Sequence, residues 1–352
     1  MNTTPAASDG PAIFITNRVF PKVVSFLGKF GRVVSNPVLE PFPREKFLEY
    51  ASGASALMVF MNDWLDGAAL DRCPKLRIIA AALKGCDNFD VAACTSRGIW
   101  FTIVPDLLTI PTAELAIALA LALSRKVLEG DRFIRSGAFA GWRPALYGSG
   151  FHGQIAGIVG MGNLGRAIAK RLAAFEMKIL YFDSAASLRP EELHATPAGL
   201  GELLASSDFV FLAMPLSPET RRLIDATALN SIRAGAFLIN VGRGSVVDES
   251  AIANALQSGR LAGYAADVFE MEDWALSGRP KSIHPALLAQ SDRTLFTPHL
   301  GSAVASVRYE AEMCAARNIA EALSGRRRPT QSTILSPADD YHAHVSIETL
   351  TG

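Results

Sequence analysis

The sequence lacks several features that would place a protein in a specialised class. Its 352 residues include 34 basic and 34 acidic side chains, so no net charge attracts it to nucleic acid or to an anionic membrane surface. Only four cysteines are present, and none forms a C-x-x-C pair or a cysteine/histidine cluster of zinc spacing. We therefore expect free thiols, no bound metal and a reducing, cytoplasmic location. Any anion site must be local.

Long apolar runs are also scarce. The longest, LAIALALAL at 115–123, is too short to span a bilayer and is followed by Ser124 and Arg125, which favours a buried helix. The first ten residues contain neither the basic nor the apolar segment of a secretion signal. We expect no membrane partner. Because 49% of the residues are hydrophobic, the chain can bury enough apolar surface for two domains.

Short apolar runs alternate with helical patterns, which is typical of βαβ units and parallel sheets. The first series predicts strands at AIFIT, LMVFM and LRIIAAAL, with a helix at REKFLEYASG. A connecting helix is predicted from Thr112, with Pro111 near its start and Gly130 past its end. After an arm at 136–153, the second series predicts six strands, at QIAGIVG, KILYFD, DFVFLAM, AFLIN, LAGYAADVF and TLFTPH. The fold class is therefore α/β, with doubly wound domains.

A glycine-rich turn opens the second series. Gly160, Gly162 and Gly165 have G-x-G-x-x-G spacing directly after a predicted strand and at the start of a helix, where a pyrophosphate can approach the backbone. Asp183 ends the next strand, and a carboxylate there accepts both ribose hydroxyls and repels a 2′-phosphate. No arginine follows it before Arg189. The sequence therefore predicts NAD rather than NADP.

Three candidate catalytic residues each follow a predicted strand: Arg243, Glu272 and His299. An arginine offers a planar fork to an oxyanion, a histidine exchanges a proton near neutral pH, and a carboxylate bonded to the histidine fixes its tautomer. Taken singly, each has an ordinary structural explanation: bonding to loop carbonyls, a surface acid, and a strand cap. Their common position at strand ends favours proton transfer beside an anion.

The motifs around these residues resemble those of the D-2-hydroxyacid dehydrogenase family. GRG contains Arg243, DVF is followed by an acid five residues after Asp267, and TPH contains His299. The resemblance, over residues 12 to 325, implies a Rossmann NAD-binding domain at 109–302. That domain would be inserted into a flavodoxin-like substrate domain formed by 1–108 and 303–352. It also implies a site in the cleft, a homodimer, a proton-handling His299 and Glu272 pair, and an anion held by Arg243.

The resemblance assigns further residues to the two ligands. On the cofactor side it adds, to the glycines and Asp183, the residues Thr112, Asn163, Leu164, Ala213, Met214, Pro215, Val241, Asp267 and Ser302. Near the substrate it places Met61, Trp142 and Tyr147. A methionine is more often a core residue, an aromatic residue in a loop or arm is more often an interface anchor, and a purely structural role is the alternative for Asp267. These assignments therefore rank below the three catalytic ones.

Lys84 directly follows the largely apolar run RIIAAAL. A solvated loop lysine is not expected at the end of such a run. Four stretches, ALKGCDNFD, VPDLLTIPTAELA, GWRPALYGSG and GYAADVFEMEDWA, are similar to those of phosphite (phosphonate) dehydrogenases, a branch of the family. The similarity implies oxidation of phosphite to phosphate with NAD, with water as the nucleophile, His299 as the preferred base, and Lys84 and Arg243 holding the anion from the two domains.

Two alternatives remain open. One is a dehydrogenase that acts on a small 2-hydroxy acid and uses the same residues on a carboxylate and a hydroxyl. The other is an NAD-sensing, corepressor-like protein that retains the fold without turnover. The presence of Arg243, Glu272 and His299 together argues against the second alternative.

Overall fold

The computed structural model describes residues 10–184, 194–325 and 333–334. The chain divides into two compact units. The terminal unit consists of Met1–Leu107 with Ala305–Gly352, and the central unit of Leu108–Val304. Among the described residues, no helix is long and apolar enough to cross a membrane. In that same part of the chain, no group of three or more metal-ligating side chains occurs.

The terminal unit is a five-stranded parallel sheet with one antiparallel edge strand. Its strands are β1 (Ala12–Ile15), β2 (Arg32–Ser35), β3 (Ala56–Val59), β4 (Ile78–Ala81), β5 (Trp100–Ile103) and β13 (Thr333–Ile334). Its helices are α1 (Pro21–Leu27), α2 (Arg44–Gly53), α3 (Gly67–Asp71), α4 (Val91–Ser96) and α12 (Ala305–Leu323). The order β2-β1-β3-β4-β5, with β13 antiparallel to β5, is that of a flavodoxin-like doubly wound sheet.

Alternating side chains give this sheet two apolar layers. Phe14 on β1 packs in one layer with Leu57 and Ile79. Its neighbours Ile13 and Ile15 pack in the other layer, which includes Met313 and Ile319 of α12. Because successive side chains of a strand point to opposite faces, four-residue strands that are buried throughout require helices on both sides. The carboxyl ends of the parallel strands are left for loops.

The central unit is a seven-stranded parallel sheet. Its strands are β6 (Ile155–Val159), β7 (Lys178–Phe182), β8 (Ala195–Pro197), β9 (Phe209–Leu212), β10 (Ala236–Asn240), β11 (Leu261–Ala266) and β12 (Thr294–Phe296). Its helices are α5 (Thr109–Ser124), α6 (Val127–Arg135), α7 (Asn163–Ala174), α8 (Leu200–Ser206), α9 (Ala226–Ser231), α10 (Glu249–Gln257) and α11 (Pro285–Leu288). The order β8-β7-β6-β9-β10-β11-β12 is a Rossmann arrangement with one added strand.

The predicted fold class is confirmed, because both units are parallel-sheet α/β structures. The strand predictions were incomplete. The sequence patterns did not indicate β2 and β5 of the terminal unit, and they did not indicate the short β8 of the central unit. Each has only three or four residues, and the described side chains of β2 and β8 are partly or fully exposed, which weakens the apolar signal.

The prediction of one connecting helix ending before Gly130 was wrong. α5 ends at Ser124, Lys126 adopts a left-handed φ of 55°, and α6 then continues through Gly130. A residue in the left-handed region interrupts the hydrogen-bond ladder of a right-handed helix. The burial changes at the same point, because the run 115–123 packs in the core whereas α6 has no buried residue.

A buried carboxylate ties together the carboxyl ends of β1 and β3. Asp63 Oδ2 accepts hydrogen bonds from the Phe60 N–H at 2.8 Å and from the Thr16 hydroxyl. Burial raises the pKa of Asp63 to about 7, and the two hydrogen bonds and the Arg44 charge only partly oppose this. The loop that contains Met61 therefore depends on a group whose charge changes near neutral pH.

Asp63 makes stability depend on pH in a defined direction. Its pKa of about 7 lies above the ordinary 3.8, so the folded state binds the proton more tightly, and stability falls as pH rises from about 4 to about 7. Since one pKa unit corresponds to about 1.4 kcal/mol, this loss can reach about 4 kcal/mol. We expect Asp63→Asn, which cannot ionise, to reduce the loss.

Urea unfolding of both proteins at about pH 5 and about pH 8 measures the difference. Parallel declines in the free energy of unfolding for the wild type and for Asp63→Asn would contradict the assignment to Asp63.

Candidate active site

The glycine turn between β6 and α7 has the geometry that a pyrophosphate requires. Gly160 has a left-handed φ of 94°. A Cβ built on Gly165 would lie 2.0 Å from the Gly160 carbonyl oxygen, so only glycine lets the helix pack this close to the strand. A Cβ built on Gly162 would meet no atom within 4 Å, which leaves its backbone open to a ligand. The turn fits a dinucleotide at the N-terminus of α7.

Asp183 follows β7 and is held against this turn. Its Oδ2 accepts the Met161 N–H at 2.6 Å, which fixes the carboxylate next to the phosphate-binding backbone. This position agrees with recognition of the adenosine ribose in NAD. Arg189 lies outside the described residues. Asn163, also predicted on the cofactor side, accepts a hydrogen bond from Arg166 at 2.6 Å.

The other residues predicted on the cofactor side belong to the same unit. Ala213, Met214 and Pro215 follow β9, Val241 follows β10, Asp267 follows β11, Leu164 is in the first turn of α7, Thr112 is in α5 and Ser302 follows the His299 turn. The segments that contain these residues lie close together. A Cβ built on Gly160 would lie 2.9 Å from Met214 N, and one built on Gly301 would lie 3.0 Å from Thr112 Oγ1. Their roles as cofactor contacts remain predictions.

His299 and Glu272 are in direct contact. Glu272 Oε2 lies 2.7 Å from His299 Nδ1, and Glu272 Oε1 accepts the Phe269 N–H at 2.8 Å. A carboxylate only accepts hydrogen bonds, so Nδ1 carries the proton and Nε2 is left to exchange a proton with a substrate. Both side chains are about one quarter exposed, at 26% each. The structure thus brings together the predicted base and its orienting acid.

Asp267 holds the turn that carries His299. Its carboxylate accepts bonds from Thr297 Oγ1 at 2.6 Å, Leu300 N at 2.6 Å and Gly301 N at 2.8 Å. Burial raises the pKa of Asp267, and these bonds oppose the shift. His299 has a left-handed φ of 56°, which a non-glycine residue keeps only when its surroundings impose it. Sequence reasoning placed Asp267 on the cofactor side with a purely structural role as the alternative, and these three bonds agree with the structural role.

Arg243 follows β10 on a loop fixed by a buried asparagine. Asn240 donates from Nδ2 to the Arg243 carbonyl oxygen at 2.9 Å, and its Oδ1 accepts the Gly242 N–H at 3.1 Å. Arg243 Nη1 donates to the Gly242 carbonyl oxygen at 2.9 Å. The structural explanation considered above is therefore partly correct, since one guanidinium nitrogen does bond to a loop carbonyl.

Lys84 lies after β4 in the terminal unit and is not simply solvated. Its Nζ is 2.5 Å from Oδ1 of Asp106, which follows the neighbouring strand β5. The two side chains are 29% and 36% exposed, so a positive and a negative group stand together at this sheet edge. Sequence reasoning missed Asp106, because no local pattern links residues 22 positions apart. Met61 lies at the same edge, where its carbonyl oxygen accepts a bond from Asn88.

Trp142 and Tyr147, both predicted near the substrate, lie in the arm of the central unit. Their exposures are 85% and 74%, unlike those of core residues. Such exposed aromatic residues are typical of interface anchors. Both the substrate role and the homodimer remain predictions.

Comparison with known proteins gives consistent results. The profile of "D-isomer specific 2-hydroxyacid dehydrogenase, NAD binding domain" matches residues 117–301. A glyoxylate reductase of Pyrococcus furiosus is 37% identical over 326 residues, which cover 91% of this chain and 94% of that protein. A glyoxylate reductase of Aeropyrum pernix is also 37% identical, over 91% of this chain and 95% of that protein.

Two solved structures extend the comparison. The TT0316 protein from Thermus thermophilus has a TM-score of 0.81 and 33% identity, over 91% of this chain and 99% of that chain. A glyoxylate reductase from Paecilomyes thermophila has a TM-score of 0.78 and 26% identity, over 94% of this chain and 99% of that chain. The matched NAD-binding profile confirms the predicted cofactor. The relatives are named for glyoxylate, so phosphite remains unconfirmed.

Asp183 should determine the choice between NAD and NADP. Replacing Asp183 with alanine removes the charge that repels a 2′-phosphate, so we expect relative use of NADP to rise. Steady-state kinetics with both cofactors measure the ratio of their kcat/KM values. An unchanged ratio would refute this assignment, and Asp225→Ala, which removes a helix cap in the same unit, provides a control for lost stability.

His299 and Glu272 should differ in the size of their effects. A general acid or base contributes about 10² to 10⁴ in rate, so His299→Ala should lower kcat by that factor while NAD still binds. Glu272→Gln should lower it less, because the amide can still contact the ring but carries no charge. NAD titration and turnover are measured on the same preparations. Near-normal turnover of His299→Ala would require another base.

Proposed function

The chain belongs to the D-isomer specific 2-hydroxyacid dehydrogenase family and is an NAD-dependent oxidoreductase of that family. On that premise, we propose that Arg243, Glu272 and His299 form its reaction centre and that phosphite is its substrate. The reaction class is carried by one observation, the 2.7 Å contact between His299 Nδ1 and Glu272. That contact leaves His299 Nε2 available for proton transfer.

Each proposed residue has a separate task. Arg243 binds the substrate anion through its planar guanidinium. His299 accepts the proton at Nε2, and Glu272 stabilises the imidazolium that forms. Asp267 and Thr112, with the glycine turn and Asp183, would hold the dinucleotide. In phosphite oxidation a water oxygen would bond to phosphorus while a proton of that water passes to His299 Nε2, and the P–H hydrogen would leave with its bonding pair as hydride. NAD, held by the residues above, would be the hydride acceptor.

Phosphite is supported by Lys84 and by the stretches around it. Phosphite carries up to two negative charges and no carbon skeleton, so its binding must rest on charge-assisted hydrogen bonds. Arg243 in the central unit and Lys84 in the terminal unit are the two cations that we propose for such an ion. Asp106 Oδ1 is 2.5 Å from Lys84 Nζ, so this carboxylate offsets part of the positive charge of the lysine. Hydroxyacid members of the family usually lack this lysine.

The second candidate is a small 2-hydroxy acid or its 2-oxo form. The observation in its favour is that relatives 37% identical over most of the chain are named glyoxylate reductase. The same three residues would serve this reaction: His299 would take the hydroxyl proton, and NAD would be the acceptor of the carbon-bound hydrogen as hydride. The family comparison favours this candidate over phosphite, whereas Lys84 and its neighbours favour phosphite.

One assay distinguishes these possibilities. Formation of NADH is followed with phosphite, with D-lactate or D-glycerate, and without substrate, and consumption of NADH is followed with glyoxylate. Phosphite-dependent NADH with equimolar phosphate is the expected result. Turnover of glyoxylate without phosphite oxidation would establish the second candidate, and absence of turnover in every arm would favour a protein that only binds the dinucleotide.

Lys84 provides the sharpest test of the substrate. A hydrogen bond to a charged group contributes about 1.5 to 3 kcal/mol, so Lys84→Ala should raise KM for phosphite about 10-fold to 100-fold and leave KM for NAD nearly unchanged. Lys84→Arg should restore part of the loss, because the charge is retained. Lys46→Ala is the control, since Lys46 forms an exposed ion pair with Glu49 in the same unit. An unaltered phosphite KM would remove much of the case for phosphite.

A further inference from the structure

Three carboxylates near the proposed reaction centre are buried. Glu249, Glu270 and Asp273 have exposures of 4%, 8% and 4%. Acidic side chains are rarely buried unless they are hydrogen bonded, because desolvation of the charge is costly. The acidic run EMED, which contains two of them, has the composition of a solvated turn. Its burial therefore requires a structural or functional reason.

Two of these acids exchange hydrogen bonds. Glu249 Oε1 accepts the Glu270 N–H at 3.0 Å, and Glu270 Oε1 accepts the Glu249 N–H at 3.0 Å. Glu249 Oε2 also accepts the His284 N–H at 2.9 Å. Burial raises the pKa of Glu249, and these backbone bonds oppose the shift. The start of α10 is thereby fastened to the loop that leads to Glu272.

The third acid makes a more direct connection. Asp273 Oδ2 accepts the Ser245 N–H at 2.7 Å. Ser245 is two residues after Arg243, and Asp273 is the residue next to Glu272. Between these points the backbones touch, because a Cβ built on Gly244 would lie 1.9 Å from the Phe269 carbonyl carbon. The arginine loop and the glutamate loop therefore form one packed layer.

We infer that Asp273 is a positioning residue that locks the Arg243 loop to the Glu272 loop, so that anion binding and proton transfer keep a fixed relative geometry. The inference rests on the proposed roles of Arg243 and Glu272. Asp273 acts through them and touches no substrate. Small displacements of reacting groups lower the reaction rate strongly, so a bond that fixes two functional loops to each other helps to maintain the rate. The two hydrogen bonds between Glu249 and Glu270 attach the start of α10 to the same packed layer.

This role predicts a specific kinetic pattern. Asp273→Ala removes the bond to Ser245, which loosens the connection between the Arg243 loop and the Glu272 loop, so KM for the substrate that is turned over should rise at least about 10-fold. The dissociation constant for NAD should stay within about twofold, because the glycine turn is outside the lock. Asp273→Asn retains an acceptor oxygen and should recover part of the loss.

A double-mutant cycle separates positioning from general stability. If Asp273 acts through Arg243, then Asp273→Ala should add little to the loss already caused by Arg243→Ala. A purely structural Asp273 would give independent losses that multiply to within about twofold. Asp208 is the matched control, because its Oδ2 accepts the Ile155 N–H at 2.9 Å and it directly precedes β9, at the amino ends of the strands. Asp208→Asn should lower stability and leave substrate KM unchanged.

The outcomes are distinguishable. If Arg243→Ala leaves substrate KM unaltered, the proposed function fails. If Arg243→Ala raises KM but neither Asp273 variant does, the inference alone is overturned. Should Asp273→Ala not fold, Asp273→Asn carries the test, because it preserves the shape and one acceptor. A KM increase in Asp273→Asn that is absent from Asp208→Asn supports the lock.

Discussion

Close backbone approach at the carboxyl ends of the strands is the constraint on which the central unit depends. Its segments approach so closely that a Cβ at the meeting points would lie 1.9 to 3.0 Å from a neighbouring atom, and glycine stands at each of these points. The glycines concerned are Gly160 and Gly242 against Met214, Gly244 against Phe269, and Gly301 against Thr112. Because parallel strands end at one sheet edge, these contacts join the cofactor turn, the arginine loop and the histidine turn into a continuous layer.

Much of this layer could be predicted from the sequence, because its parts are local. A glycine turn after an apolar strand, an acid after the next strand, and Arg243, Glu272 and His299 after later strands all leave short, readable patterns. What holds these residues in place could not be predicted. Asp267 bonds to residues 30 to 34 positions away, and Asp273 bonds across 28 positions. Such pairings are set by strand order, which a single sequence does not display.

Local conformation set the other limit. Lys126, in the left-handed conformation, separates α5 from α6 within a stretch whose sequence pattern predicts one continuous helix. No glycine at that position indicates the interruption. Short strands such as β2 have too few buried residues to show the alternation of apolar and polar side chains that identifies a strand. At Lys84 the apolar run drew attention to the lysine, whereas its partner Asp106 is visible only from the adjacency of β4 and β5. Family membership rests on similarity that covers 91% of the chain.

The discontinuity of the terminal unit has a consequence for synthesis on the ribosome. Its core joins Ile13, Met58 and Ile78 to Met313 and Ile319 of α12, so one apolar layer cannot close until residues near 320 have emerged. The central unit is continuous and can fold as soon as 108–304 are made. During that interval the apolar layer that α12 covers has no partner, and transiently exposed apolar surface of this kind favours aggregation.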